Sequence, residues 1–178
     1  MRLIYKTLIL LMLVFSGMVG RAQSFKIDSL VSQASFSVSK LGWGSVRGTF
    51  TGLSGSIIFN TQDLGSSKFD VCIDAGSVKT GEPDRDKHLR AEDFFHIKKY
   101  PKICFQSRSM MRTRTGYLVT GIISIKGRPK LVNIPFTFEN KVFKGKFTLN
   151  RKDFDLNDAT GMFIIGEEVE IQIICKVQ

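Results

Sequence analysis

Apolar and polar residues alternate strictly in several segments of this chain. Val132, Ile134, Phe136 and Phe138 share one parity, and the residues between them are Asn, Pro and Thr. Residues 168–177 alternate in the same way. Because successive side chains of a strand project to opposite faces, this pattern predicts strands with one buried face and one face in solvent.

One long segment changes its phase part of the way along. Val46 and Phe50 occupy even positions, whereas Leu53 and Ile57 occupy odd ones. A slip of one residue would turn half of the apolar side chains into water, so the strand needs a correction. We expect a β-bulge or a glycine kink near Gly52, which would also let the strand curve.

The whole pattern predicts about eight strands and one helical insertion. The insertion is expected at residues 84–96, with a helix over about 84–95 that begins after Gly81-Glu82-Pro83. With no helices to cover the apolar face, the sheet must close on itself, which predicts a closed antiparallel β-barrel. An open two-sheet sandwich is the alternative. Pairing between residues 33–40 and 168–177 would indicate the barrel. The strands are expected at residues 34–40, 46–60, 69–74, 103–105, 119–125, 132–138, 143–149 and 168–177.

Residues 1–22 are typical of a cleavable export signal. Arg2 and Lys6 are followed by the apolar run Leu8–Val14, and cleavage is expected between Ala22 and Gln23. A retained membrane anchor is disfavoured because an apolar stretch of roughly 20 residues is missing. The remaining 156 residues, 23–178, suit one domain in the periplasm or outside the cell.

The mature chain is basic. Loss of three basic signal residues lowers the net charge from +10 to +7. Export argues against nucleic acid as a partner, which leaves a solvated basic surface or transient contact with an anionic membrane surface. The pattern does not determine the oligomeric state, for which a homodimer is one option.

The chain contains three cysteines, too few for a disulfide scaffold of this length. Cys175 lies on the apolar side of its strand and is expected to be buried. Cys72 and Cys104 lie on polar sides, and they can pair only if their strands are neighbours in register. The sequence does not establish that register.

Catalytic and metal-binding motifs are not evident. Asp84, Asp86 and His88 are spaced i, i+2 and i+4, so they do not share one helix face. His88 is expected either to contact Asp84 at the surface or to point inward and anchor the helix. We find no nucleophile–base motif and no phosphate-binding glycine loop. The sequence therefore predicts no metal, no cofactor and no enzyme activity.

The mature chain is rich in phenylalanine and contains fourteen of the fifteen Phe residues. Most of them fall on predicted inward faces. They either fill the barrel as an ordinary core or line an apolar tunnel suited to a flexible hydrocarbon, and the pattern alone does not separate these readings.

Several short motifs occur along the chain in the same order as in a known protein family. They are Asp28, Phe36-x-Val38, Leu41-Gly42, Val46-x-Gly48-x-Phe50-x-x-Leu53-x-Gly55, Asp86-x-His88-Leu89-Arg90, Asp93-Phe94-Phe95, Tyr100-Pro101-x-Ile103-x-Phe105-x-Ser107, Gly121–Gly127, Arg151-x-Asp153-Phe154 and Gly166-Glu167-Glu168-Val169-x-Ile171. Together they cover residues 26–177 and resemble the YceI-like family of exported lipid-binding proteins. Lys40 and His96 depart from the residues common in that family.

The resemblance implies an all-β, lipocalin-like closed barrel that binds or carries an isoprenoid or similar long-chain lipid, of quinone or polyprenyl type, in the cell envelope. The alternatives are an exported enzyme acting on a small hydrophobic substrate and a plugged barrel without ligand. Inward parity selects thirteen expected ligand contacts: Phe36, Val38, Phe50, Phe59, Val71, Ile103, Phe105, Val119, Ile123, Phe136, Phe138, Phe147 and Ile171.

Overall fold

The computed structural model describes residues 23–40, 44–156 and 165–178. The expected export signal at 1–22 and most of the turn after the first long strand, residues 41–43, lie outside these ranges. The described residues form ten strands and one α-helix. They are β1 (Gln23–Phe25), β2 (Gln33–Lys40), β3 (Ser45–Phe50), β4 (Ser54–Phe59), β5 (Lys68–Asp74), α1 (Pro83–Arg90), β6 (Lys102–Arg112), β7 (Tyr117–Ile125), β8 (Arg128–Glu139), β9 (Val142–Asn150) and β10 (Ile165–Lys176).

All ten strands belong to one antiparallel sheet, in the order β1-β4-β5-β6-β7-β8-β9-β10-β2-β3. The last long strand returns to the first one. Val169 of β10 lies opposite Val38 of β2, and Ile171 lies opposite Phe36. This pairing was expected of a barrel and not of an open sandwich, so the predicted all-β, lipocalin-like fold is confirmed.

The long strand predicted from the sequence closes the barrel. Its two parts, β3 and β4, are separated by residues 51–53; β3 pairs with β2, and β4 pairs with β5. Gly52 adopts a φ of +74° in this break, a conformation that favours glycine. β1 pairs with β4, and Ile27 bridges to Val177 beside β10. If β1 and β2 are counted as one strand, and β3 and β4 as another, the barrel has eight strands.

Burial follows the predicted alternation. In β9, Phe143, Phe147 and Leu149 are buried, whereas Lys144 and Lys146 are exposed. The same parity holds in β7, and it gives the barrel its apolar interior. Among the described residues, no helix is long and apolar enough to cross a membrane.

The helical insertion is shorter than predicted. α1 ends at Arg90, and residues 91–99 form turns instead of continuing the helix to residue 95. His96 has a φ of +47° in these turns. Phe94 and Phe95 are consecutive and both buried. The turns allow both rings to face the barrel, an arrangement that a helix running along its surface does not favour.

The sequence left open whether Cys72 and Cys104 pair, and the register of their strands gives the answer. Cys72 of β5 lies directly opposite Cys104 of β6, and the two form a disulfide. Cys175 is a buried free thiol, as expected. Burial raises the pKa of the Cys175 thiol to about 11, which keeps it protonated at neutral pH.

The disulfide closes a loop whose ends are 32 residues apart, and it should stabilise the barrel against unfolding. We expect reduction, or the double substitution Cys72→Ser/Cys104→Ser, to lower the free energy of unfolding by about 2–4 kcal/mol. Urea unfolding with and without reductant measures the loss. The double variant is the control, because reductant should no longer change its stability. Equal stability of oxidised and reduced wild-type protein would contradict the expectation.

Candidate functional site

The barrel contains an apolar cavity of about 180 Å³. This is room for on the order of half a dozen water-sized groups. Inward side chains of the strands form the wall, and residues that follow β5 and β9 form a cover that we call the roof: Arg85, His88, Leu89, Phe94, Phe95, Arg151, Phe154 and Leu156. The cavity therefore lies at one end of the barrel, beneath the roof.

Two glycines hold phenylalanine rings against the wall. The Phe36 ring occupies the space beside Gly48, where an added Cβ would lie 2.5 Å from a ring carbon. The Phe105 ring lies against Gly121 in the same way, also at 2.5 Å. Without side chains on these glycines, the rings lie along the wall and leave the middle of the barrel open.

The opposite end of the barrel is filled by an aromatic cluster. The Phe59 ring centroid lies 5.1 Å from that of Tyr117 and 5.4 Å from that of Phe143. These contacts are edge-to-face, a favourable arrangement of aromatic rings. The cluster lies where β4 and β8 end and where β5, β7 and β9 begin. Its members are Phe25, Phe59, Phe69, Tyr117, Phe136, Phe138 and Phe143.

The first part of the roof is α1 and the turns after it. The buried carboxylate of Asp86 accepts hydrogen bonds from the Thr80 amide at 2.7 Å and from its hydroxyl at 2.6 Å. Arg90 donates to the carbonyls of Gly76 and Val78, at 2.8 and 2.6 Å. These bonds fasten the helix to the segment between β5 and α1.

His88 points inward, which was one of the two expected options. Its Nε2 lies 2.5 Å from Oδ2 of Asp93, and its ring packs edge-on against Phe94 with the centroids 5.1 Å apart. The ring also lines the cavity. His88 therefore bonds to Asp93 within the insertion and helps to anchor it.

The second part of the roof is residues 151–156. Arg151 donates hydrogen bonds to the carbonyl oxygens of Gly166 and Leu156, at 2.9 and 2.6 Å. These bonds join the segment after β9 to the beginning of β10. Lys126, in the turn between β7 and β8, donates to the carbonyls of Asp93 and Asp155. One ammonium group thus bonds to both parts of the roof.

The charged side chains along the cavity are already bonded to the protein. Arg85 donates to Thr80, Arg151 donates to backbone carbonyls, and His88 contacts Asp93. The cavity consequently presents an apolar surface that attracts hydrocarbon. No group of three or more His, Cys, Asp or Glu side chains within residues 23–40, 44–156 and 165–178 could hold a metal ion.

The structure separates the thirteen expected ligand contacts into two groups. Nine line the cavity: Phe36, Val38, Phe50, Val71, Ile103, Phe105, Ile123, Phe147 and Ile171. The other four, Phe59, Val119, Phe136 and Phe138, are not part of the cavity lining, and all but Val119 belong to the aromatic cluster. Inward parity does not say how far along the barrel a residue lies. Contact of any of the thirteen with a ligand remains a prediction.

Other lining residues were not selected from the sequence. Leu53, Ile73, Ile125, Leu149, Val169 and Ile173 share the inward parity, and this signal could have identified them. Leu89, Phe94, Phe95, Phe154 and Leu156 belong to the roof. No strand periodicity marks the roof residues, because they reach the cavity through turns and long-range packing.

A family model described as YceI-like domain matches residues 25–177. The chain belongs to the YceI-like family. Among its relatives, UPF0312 protein YE1254 of Yersinia enterocolitica and a UPF0312 protein of Yersinia pestis are each 29% identical to this chain over 175 residues, which cover 89% of this chain and 88% of the relative.

Solved structures share the fold of this YceI-like protein. BcnA of Burkholderia cenocepacia is similar with a TM-score of 0.75 and 24% identity, over 84% of this chain and 98% of that one. A polyisoprenoid binding domain from Saccharophagus degradans has a TM-score of 0.63 and 16% identity, over 87% and 97%. The YceI protein of Campylobacter jejuni has a TM-score of 0.63 and 22% identity, over 79% and 89%.

The bonds of Asp86 should be needed for a stable roof. Asp86→Ala leaves the Thr80 amide without its acceptor, so we expect the free energy of unfolding to fall by about 1–3 kcal/mol. Asp86→Asn keeps an acceptor oxygen and should lose less. Urea unfolding of both variants, with limited proteolysis of the insertion, measures the effect. An alanine variant as stable and as protease-resistant as the wild type would show that the bonds are dispensable.

Proposed function

We propose that this YceI-like protein binds and carries an isoprenoid or similar long-chain amphiphilic lipid, of quinone or polyprenyl type, in the cell envelope. The apolar cavity beneath the roof is the observation that carries the proposal. A hydrocarbon chain needs no hydrogen bonds, and its transfer from water gains about 0.8 kcal/mol for each buried CH₂ group. The cavity takes a segment of the chain.

The half-filled barrel supports binding over a purely structural role. A plugged barrel would extend its aromatic cluster along the whole axis, whereas Phe36 and Phe105 lie along the wall here. The solved polyisoprenoid binding domain from Saccharophagus degradans gives further support from a protein of the same fold. Export through residues 1–22 would place the carrier where envelope lipids are exchanged.

Organic extraction of the purified protein tests the proposal directly. We expect mass spectrometry of the extract to recover a molecule with a prenyl chain, or the delipidated protein to take up added quinone or polyprenol. Lysozyme carried through the same purification and extraction is the control for lipid that adheres to any basic protein. Recovery of no lipid, together with no uptake of either probe, would contradict carriage.

A pair of substitutions separates the cavity from the aromatic cluster. Phe105→Trp enlarges a ring on the cavity wall and should lower the affinity for added polyprenol about tenfold, since the larger ring takes up space meant for the chain. Phe143→Trp overpacks the cluster and should cost about 1–3 kcal/mol of stability with unchanged affinity. Fluorescence titration and urea unfolding give the two readouts. Equal polyprenol affinity of wild type and Phe105→Trp would place binding elsewhere.

A further inference from the structure

Charge is unevenly distributed around the barrel. Residues 102–150, which span β6 to β9, contain ten Lys and Arg residues and a single acidic residue, Glu139. Residues 23–101 and 151–178 together contain thirteen basic and fifteen acidic residues. The positive charge of the protein therefore comes from four consecutive strands and their turns, on one side of the barrel.

Most of these cations have no carboxylate partner in the part of the chain that the structure describes. Arg128, Lys130 and Lys146 form ion pairs with acidic residues outside the four strands. The remaining seven form no ion pair with a carboxylate among the described residues: Lys102, Arg108, Arg112, Arg114, Lys126, Lys141 and Lys144. Such a surface attracts an anionic partner.

Apolar side chains lie on the outer surface of the same strands. Met111 of β6, Leu118 of β7 and Pro135 of β8 are successive cross-strand neighbours, and Ile122 of β7 lies opposite Leu131 of β8. Met111 is 58% exposed and Leu131 is 60% exposed. Single exposed apolar residues are ordinary, but these two rows, together with the hydrogen-bonded Thr120 and Asn133 that lie between them, form a patch of mixed polarity.

Cations border this patch. Lys144 of β9 is exposed and lies opposite Thr137, two residues along β8 from Pro135. Arg108 is exposed beside the irregularity in β6. A surface that combines exposed apolar side chains with a cationic border matches the boundary of an anionic bilayer, where apolar side chains enter the acyl region and ammonium groups meet lipid phosphates.

We propose that the outer face of β6, β7 and β8, together with Lys144, docks onto an anionic lipid bilayer. The turn between β7 and β8 lies at the roof end of this docking face, whereas Met111, Leu118 and Lys144 lie near its other end, beside the aromatic cluster. Lys126, in the turn that joins β7 to β8, hydrogen-bonds to carbonyls of both parts of the roof. A bilayer bound at the docking face would contact the side of the barrel, with the roof at one edge of the contact.

Co-sedimentation of the full chain with vesicles tests the docking face. We expect association with vesicles of phosphatidylglycerol and phosphatidylcholine, and weak association with phosphatidylcholine alone. Each basic residue near an anionic surface contributes about a fivefold factor in affinity, so Lys144→Glu should weaken association by roughly tenfold or more. Met111→Thr/Leu131→Thr should weaken it by a similar factor, and threonine suits an exposed strand position. Salt should weaken association with the wild type.

Matched substitutions outside the docking face are the controls. Leu30→Thr removes an apolar side chain that is 95% exposed in the turn after β1, and Lys79→Glu reverses an exposed cation beside β3. Both should leave vesicle association within about twofold of the wild type, since neither residue lies on the docking face. Urea unfolding verifies that every variant is folded.

Several outcomes would overturn the proposal. The first is absence of binding to anionic vesicles at low salt, and the second is an equal loss of vesicle association in the control and docking-face variants. The third is a concentration-dependent dimer that the Met111→Thr/Leu131→Thr variant abolishes, because such a dimer would identify a second copy of the chain as the occupant. Uptake of polyprenol from detergent, measured without vesicles, is a separate readout. Failure of docking is thus distinguishable from failure of lipid binding.

Discussion

Because β3 and β4 are parts of one strand that pair with different neighbours, a single segment joins both ends of the sheet. The break at residues 51–53 restores the inward facing of Leu53 and Ile57 after the phase change. Because the barrel is closed, every strand has one face toward the interior and one face toward the outside. The apolar interior, the cavity and the position of the roof all depend on this closure.

The closed barrel divides its interior between two arrangements of phenylalanine. Where ring meets ring, as around Phe59, the interior is solid. In the part that contains the cavity, the Phe36 ring lies against Gly48 on the wall.

Local alternation was sufficient to predict eight strand segments, the kink near Gly52 and the barrel, but it missed β1 and the part of β6 beyond Phe105. The properties that depend on register or on long-range contacts were not predictable. Cys72 and Cys104 needed the alignment of β5 with β6, and the end of α1 at Arg90 depends on how the following turns pack on the barrel. The alternation predicted correctly that Phe136 faces the barrel interior. It does not indicate how far along the barrel axis a residue lies, so Phe136 was grouped with Phe105. The roof was missed because Phe154 and Leu156 reach the cavity from outside any alternating segment.

The division between cluster and cavity has a consequence for how such a protein can diversify. The aromatic cluster is held together by contacts between protein side chains. Residues such as Ile103 and Ile123 line only the open part. Changes there can reshape the space for a chain without disturbing the cluster. One scaffold can in this way adapt to successive cargoes, with folding and selectivity encoded at opposite ends of the same barrel.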